Sequence, residues 1–331
     1  MSSLSNQINV HSDARQGYTV VKQRLLFGDA SFDYTEDTGT TFEAEYNGRR
    51  LFVSSVCDGH AGYMTSYSVT AMMQRLFLQS VEEESGDLEA TLRLLFQKIT
   101  TEVSTIKDQL GRSGTTCNVT VIDPQNEQVV VASLGDSPTL IYDKNNDGAH
   151  FLEWKSVDQD CGDEEEIERM IQVHKDNGDM MAVSDTVVYE VEIEGKPTGV
   201  YRNKRSMCMT HASFGDFSNN YYPGMVTTLP RIYTRPWKRG QVLIQCTDGL
   251  MEWLDHRKRG IQPQAEFRAQ EIASHLDACA NDANIAHALH ERQIDSMFST
   301  KLVAHPSMPD TSRAWVETTF DNHITNVFTW R

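Results

Sequence analysis

Four apolar runs in this 331-residue chain each stop at an aspartate beside a turn residue. They end in Val56-Cys57-Asp58-Gly59-His60, Ser133-Leu134-Gly135-Asp136-Ser137, Gln245-Cys246-Thr247-Asp248-Gly249 and Thr319-Phe320-Asp321-Asn322. A short apolar run bounded by a turn reads as a buried strand. An aspartate at its end sits at the rim of a sheet, with its carboxylate just outside the core. Several such rims on one edge would gather carboxylates into a single cleft. That cluster repels itself unless cations neutralise it, and hard oxygen donors select Mg²⁺ or Mn²⁺ over zinc or copper. The pattern also has a plainer reading. Asp-Gly is a common turn pair, and Asp58 and Asp248 both precede helical stretches, where aspartate is a good N-cap. Spacing alone leaves both readings open.

The remaining chain alternates groups of strands with pairs of helices. Tyr18–Phe27 and Phe42–Asp58 are extended, with a hairpin turn at Asn47-Gly48. Met64, Tyr67, Ser68, Met72 and Leu76 recur at helical spacing, and Glu84–Leu110 reads as a second long helix stopped by Gly111. Strands are expected at Thr115–Ile122, Gln128–Gly135 and Thr139–Tyr142, and a helix at Asp160–Gln172. Further strands follow at Thr186–Glu194 and Gly240–Thr247, helices at Gln264–Cys279 and Asp282–Phe298, and a closing strand at Ile324–Trp330. This order favours an α+β fold with helices packed on antiparallel sheets. No linker or repeat demands two domains. The expectation is a frayed N-terminus over residues 1–15 and a single domain over 16–331.

Composition narrows the function. A formal charge of -17 opposes general nucleic-acid binding. The six cysteines form no C-x-x-C pair, so neither a zinc site nor a disulfide framework is indicated, and a reducing compartment fits. Residues 1–15 lack the apolar stretch of a signal peptide, and no run is long enough to span a bilayer. An intracellular, cytoplasmic monomer without membrane association is the expectation.

The wording of the rims is more specific than their spacing. Asp58-Gly-His-Ala-Gly62 resembles the Asp-Gly-His-x-Gly signature of the protein phosphatase 2C (PPM) family. Ser113-Gly-Thr-Thr116, Val131-Ala-Ser-Leu-Gly-Asp-Ser137, Phe214-Gly-Asp-Phe217, Val242–Leu254 and Asp321-Asn322 resemble further family segments, in the family's order. Arg24-Leu-Leu-Phe-Gly-Asp-Ala30 is similar to the opening motif at its Arg, Asp and Ala. The resemblance spans residues 17 to 330. It implies a four-layer α-β-β-α sandwich with two central antiparallel sheets. It also implies hydrolysis of phosphoserine or phosphothreonine in proteins by a water activated between two Mg²⁺ or Mn²⁺ ions. Asp58 would bridge the ions, the Gly59 carbonyl would ligate one, and Asp248 and Asp321 would hold the other. Asp136, with Asp248 and Glu252, is implied at a third, weaker ion. Arg24 would clamp the phosphate and His60 would protonate the leaving oxygen, with Asp29 and Asn322 supporting from behind. The partner implied is a phosphoprotein substrate.

Departures from the family pattern are Gly28 before Asp29, Pro138 after Ser137, Ala61 in the signature and Ala212 before Gly215-Asp216. None removes a principal ligand of the implied set. They keep alive a rival reading, a pseudophosphatase that binds a partner without hydrolysis. A third reading is a hydrolase for another phosphoester. Residues 173–205, with Arg202, Lys204 and Arg205, fall where the family carries a variable flap. If that flap selects substrates, replacing it changes the ranking of phosphopeptides.

Overall fold

The computed structural model describes residues 8–15, 18–21, 24–27, 35–159, 163–176, 186–193, 196–203, 212–217, 226–253, 265–279, 282–298, 318–320 and 323–330. In chain order its strands begin with β1 (Ile8–Arg15), β2 (Tyr18–Val21), β3 (Arg24–Phe27), β4 (Thr38–Tyr46), β5 (Arg49–Cys57) and β6 (Gly59–His60). Helices α1 (Met64–Glu83), α2 (Leu88–Thr105) and α3 (Lys107–Leu110) follow, then β7 (Gly114–Thr115), β8 (Cys117–Asp123), β9 (Gln128–Leu134), β10 (Thr139–Lys144) and β11 (His150–Lys155). Next come α4 (Glu164–Asp176), β12 (Thr186–Ile193), β13 (Lys196–Asn203), β14 (Phe214–Gly215), β15 (Arg231–Pro236) and β16 (Val242–Cys246). The chain ends with α5 (Asp248–Trp253), α6 (Ala265–Cys279), α7 (Ile285–Phe298), β17 (Thr318–Phe320) and β18 (His323–Trp330). No described helix is long and apolar enough to cross a membrane.

Contacts divide the chain into two units, each built on one five-stranded sheet. The unit of residues 38–139 and 156–238 holds the sheet β15-β9-β8-β5-β4, antiparallel throughout. Its hairpin is the one Asn-Gly predicts. Asn47 and Gly48 both take positive φ (51° and 75°), and Tyr46 pairs with Arg49 across the two-residue turn. This turn matches the strand twist. Along β5, β8 and β9 the side chains alternate. Leu51, Val53, Val119, Val121, Val130 and Ala132 meet Val69, Met73, Phe77, Leu92, Phe96 and Ile99 of α1 and α2 in one core. The opposite face is buried too, and it carries polar groups. Asn118, Thr120 and Thr139 bond to one another, and the Asn118 amide donates to the Ser137 carbonyl at 2.9 Å. Pairing across the sheet is what makes such a polar face tolerable.

The other unit, residues 1–37, 140–155 and 239–331, holds the sheet β1-β18-β16-β10-β11. Leu140, Tyr142, Val242, Ile244, Cys246 and Val327 form its core with Ile272, Leu276, Ile285 and Leu289 of α6 and α7. Two antiparallel sheets with their helices make the α+β class that the sequence implies.

Three elements differ from expectation. Residues 8–15, expected to fray, form β1, paired along its length with β18 from Ile8↔Trp330 to Arg15↔His323. The apolar alternation stops after Ile8 and Val10, too short to read as a strand, and the strand is held by a ladder to residues 323–330. The helix expected from Glu84 begins only at Leu88. Ser85 and Gly86 turn the chain at positive φ (52° and 80°), and the Asp87 carboxylate caps α2 by accepting the Ala90 N–H at 3.0 Å. The acidic run Glu82–Glu84 has helical propensity across the break, which hides it. Finally, β15 pairs with β9 from Arg231↔Ser133 to Pro236↔Gln128. As an edge strand with three exposed residues and a closing proline, it shows no buried alternation to read.

Candidate metal centre

Three motif fragments that lie far apart in sequence form one small sheet. β6 pairs with β7 (Gly59↔Thr115, His60↔Gly114), and β7 pairs with β14 (Phe214↔Thr115, Gly215↔Gly114). Thus the Asp-Gly-His, Gly-Thr-Thr and Phe-Gly-Asp segments share a ladder. The backbone of Asp58 is fixed by the two threonines. Its carbonyl accepts the Thr116 N–H at 2.9 Å and the Thr115 hydroxyl at 2.8 Å, and its own N–H donates to Thr116 Oγ1 at 3.2 Å.

Asp136 is held by the same residue. Thr116 Oγ1 lies 2.7 Å from Ser137 Oγ. Gly135 turns at φ 93°, where an added Cβ would come within 2.7 Å of the Thr116 side chain, so glycine is required. The Gly135 N–H and carbonyl are both bonded to Gln159. The outcome is a pair of half-buried carboxylates, Asp58 and Asp136, with oxygens within 4.8 Å of each other. Two unit charges at that distance repel by about 3 kcal/mol at an effective dielectric of about 20. A pair of hard oxygen donors this close fits a divalent cation of the Mg²⁺ or Mn²⁺ type.

His60 is paired with a residue absent from the site expected from sequence. Its Nε2 lies 3.0 and 2.9 Å from the two oxygens of Asp216. A carboxylate only accepts, so Nε2 carries the hydrogen. Asp216 is buried, takes the left-handed conformation (φ 54°), donates its N–H to the Ser113 carbonyl at 3.1 Å and accepts the Ser213 hydroxyl at 2.5 Å. An added Cβ at Gly114 would fall 2.2 Å from His60 Nε2 and 2.3 Å from Asp216 Oδ2. The pair therefore rests directly on the Gly114 backbone. The motif Phe214-Gly-Asp216 was visible in sequence, but its partner lies 156 residues away and no spacing rule links them.

In the other unit, Asp248 opens α5 directly after β16. Thr247 ties that strand end to the start of β18, with the Ile324 N–H donating to Thr247 Oγ1 and the Thr247 N–H to the Ile324 carbonyl, each at 3.1 Å. Gly59 is buried within β6, and Glu252 lies on α5. Arg24 stands at the start of β3, opposite Val21. The side chains of Arg24 and Glu252, and Asp29, Asp321 and Asn322 as a whole, fall outside the described residues.

The described cysteines Cys57, Cys117, Cys246 and Cys279 are buried thiols. Cys57 and Cys117 flank the site, with sulfurs 3.7 Å apart. Burial, then the contact with Cys57, pushes the Cys117 thiol well above its usual range. It is a packing residue, not a nucleophile.

The family profile of Protein phosphatase 2C matches residues 39–259. No curated protein sequence matches the chain. Among solved structures, a C. elegans sex-determining protein is similar over 98% of this chain at 15% identity and a TM-score of 0.63, and this chain covers 65% of it. The serine-threonine phosphatase 2C of Toxoplasma gondii is similar over 97% of this chain and 95% of its own, at 17% identity and a TM-score of 0.61. A serine/threonine phosphatase of S. agalactiae is similar over 98% of this chain and 100% of its own, at 13% identity and a TM-score of 0.53. At these identities the likeness establishes the fold. The profile match covers two thirds of the chain and contains Asp58, His60, Asp136, Asp216 and Asp248. The chain belongs to the protein phosphatase 2C family.

Proposed function

We propose that this protein is a Mg²⁺- or Mn²⁺-dependent phosphatase acting on phosphoserine and phosphothreonine in proteins. The observation that carries the reading is the Asp58–Asp136 carboxylate pair, set at cation-binding distance by hydrogen bonds from the family's own threonine motif. In this reading Asp248 would supply a further carboxylate ligand, as the family motif implies. Asp58, the Gly59 carbonyl and Asp321 would help to hold two ions, and Asp136 with Glu252 would favour a further, weaker one. When bound, the ions neutralise the carboxylates and supply the Lewis acidity that phosphate-ester hydrolysis needs.

The chain's own residues have separate tasks. Arg24 orients the phosphate through a planar, bidentate guanidinium. Asp29 and Asn322 support the ligands. His60 gives a proton to the departing serine or threonine oxygen, so that the leaving group is an alcohol and not an alkoxide. No thiol takes part.

The test is phosphate release from a phosphoserine peptide with and without Mn²⁺. The wild-type chain should release phosphate only with the metal, and Asp58→Asn should lower the rate by about a hundredfold or more, as loss of a principal ligand does. Phosphate release that survives in Asp58→Asn, or no release at any Mn²⁺ concentration, refutes the reading; the second result leaves a binding module.

A further inference from the structure

Asp216 has no task in the scheme above, yet its surroundings are built around His60. Its side chain is 6% exposed and that of His60 29%. A loop anchor needs one acceptor, which a neutral asparagine or serine provides. A carboxylate withdrawn from water is costly unless a donor faces it. Here both oxygens face the same ring nitrogen, and Gly114 surrenders its side chain so that the pair can close on the backbone. Ser213 and the Ser113 carbonyl fix Asp216 from the far side. Asp216 is thus anchored once through its backbone N–H and once through its carboxylate, besides its contact with the imidazole.

We propose that Asp216 is a positioning residue for His60. It holds the hydrogen on Nε2 and fixes the ring plane, so that Nδ1 is the atom that exchanges a proton with the substrate. The inference rests on the phosphatase reading. As the phosphorus–oxygen bond breaks, its electron pair moves to the serine Oγ, which takes the proton from Nδ1. Water supplies the oxygen gained by phosphorus, and one of its protons restores His60. Nε2 keeps its hydrogen, shared with Asp216, throughout.

The test compares two substrates in the full-length protein with saturating Mn²⁺. A phosphoserine peptide has a poor leaving group that needs a proton. Para-nitrophenyl phosphate has a leaving group that departs without one. Asp216→Ala should lower kcat on the peptide by about a hundredfold, within the usual range for general acid catalysis, with KM changed by less than about twofold. The loss on para-nitrophenyl phosphate should be at least about tenfold smaller. Asp216→Asn keeps one acceptor oxygen and should recover part of the loss, with the same difference between substrates. This variant carries the test if Asp216→Ala does not fold. In a His60→Ala background, Asp216→Ala should cost nothing further on the peptide, since it acts through the ring. Equal losses on both substrates, or losses that multiply in the double variant, overturn the proposal and leave Asp216 a structural anchor. A wild-type chain inactive on both substrates instead overturns the phosphatase reading, and this proposal with it.

Discussion

The hydroxyl of Thr116 joins the two halves of the carboxylate pair, and its removal should weaken metal binding beyond its cost in stability. The side chain is buried, 1% exposed. Oγ1 accepts the Asp58 N–H at 3.2 Å and is paired with Ser137 Oγ at 2.7 Å. Thr116→Val keeps the shape and deletes both bonds. An unsatisfied buried N–H costs about 1–3 kcal/mol, and the lost hydroxyl pair about 1 kcal/mol more. The expected destabilisation is therefore about 2–4 kcal/mol. At an unfolding entropy of about 2.1 cal/mol/K per residue, a chain of 331 residues loses about 3–6 °C in Tm. The Asp58 backbone keeps its bonds from the Thr116 N–H and the Thr115 hydroxyl, but its hydroxyl link to the Asp136 loop is gone. A shift that forfeits about 1.4 kcal/mol of cation binding raises the Mn²⁺ dissociation constant about tenfold, read by calorimetry or by the metal-induced rise in Tm. Thr120→Val is the control. It lies in the same buried polar ladder, bonded to Asn118 and Thr139, and its hydroxyl is one residue further from the aspartates than that of Thr116 in this network. It should lower Tm without changing Mn²⁺ affinity. If Thr116→Val melts earlier but binds Mn²⁺ like the wild type, or if Thr120→Val weakens the metal equally, the bridging argument is wrong.

Two further outcomes follow from the same geometry. Gly114→Ala forces a methyl to within 2.2 Å of His60 Nε2 and 2.3 Å of Asp216 Oδ2, so the His60–Asp216 pair must part; thermal melts should show a loss of about 1–3 kcal/mol, as overpacking does, together with loss of peptide hydrolysis. Asp87→Ala removes the α2 cap far from the site and should cost about 1 kcal/mol in urea melts while leaving kcat and KM unchanged.

What the sequence disclosed and what it withheld divide along one physical line. The hairpin at Asn47-Gly48 was legible because two adjacent positive-φ positions are a local demand that local residues meet. The core strands β5, β8, β9 and β16 were legible because burial leaves long apolar runs. Asp58, Asp136 and Asp248 were legible as strand-end carboxylates because each follows such a run. The break before α2 was hidden by acidic residues that suit a helix on both sides of it. β1 was hidden because its order comes from pairing with β18, a partner more than three hundred residues away.

The supporting residues of the site were hidden for the same reason as β1. Nothing near Thr116 in sequence says that its hydroxyl spans Asp58 and Ser137, and nothing near Asp216 says that it faces His60. Yet these contacts, not the aspartates, set the distance and the ring orientation on which the chemistry depends. A carboxylate at a strand end is a consequence of one strand. A carboxylate held within 4.8 Å of another is a consequence of two strand ends, a glycine without a side chain and a threonine in between. The departures Pro138 and Ala212 can be placed on this scale. Pro138 follows the hydroxyl that Thr116 holds, and the Ala212 carbonyl lies 3.0 Å from where a Gly135 side chain would begin. Both sit beside the supports of the pair and leave the bonds among Asp58, Thr116 and Ser137 intact. Variation that falls there deletes neither carboxylate of the pair nor the hydrogen bonds between their supports, so a chain with altered surroundings keeps the frame on which the proposed site depends.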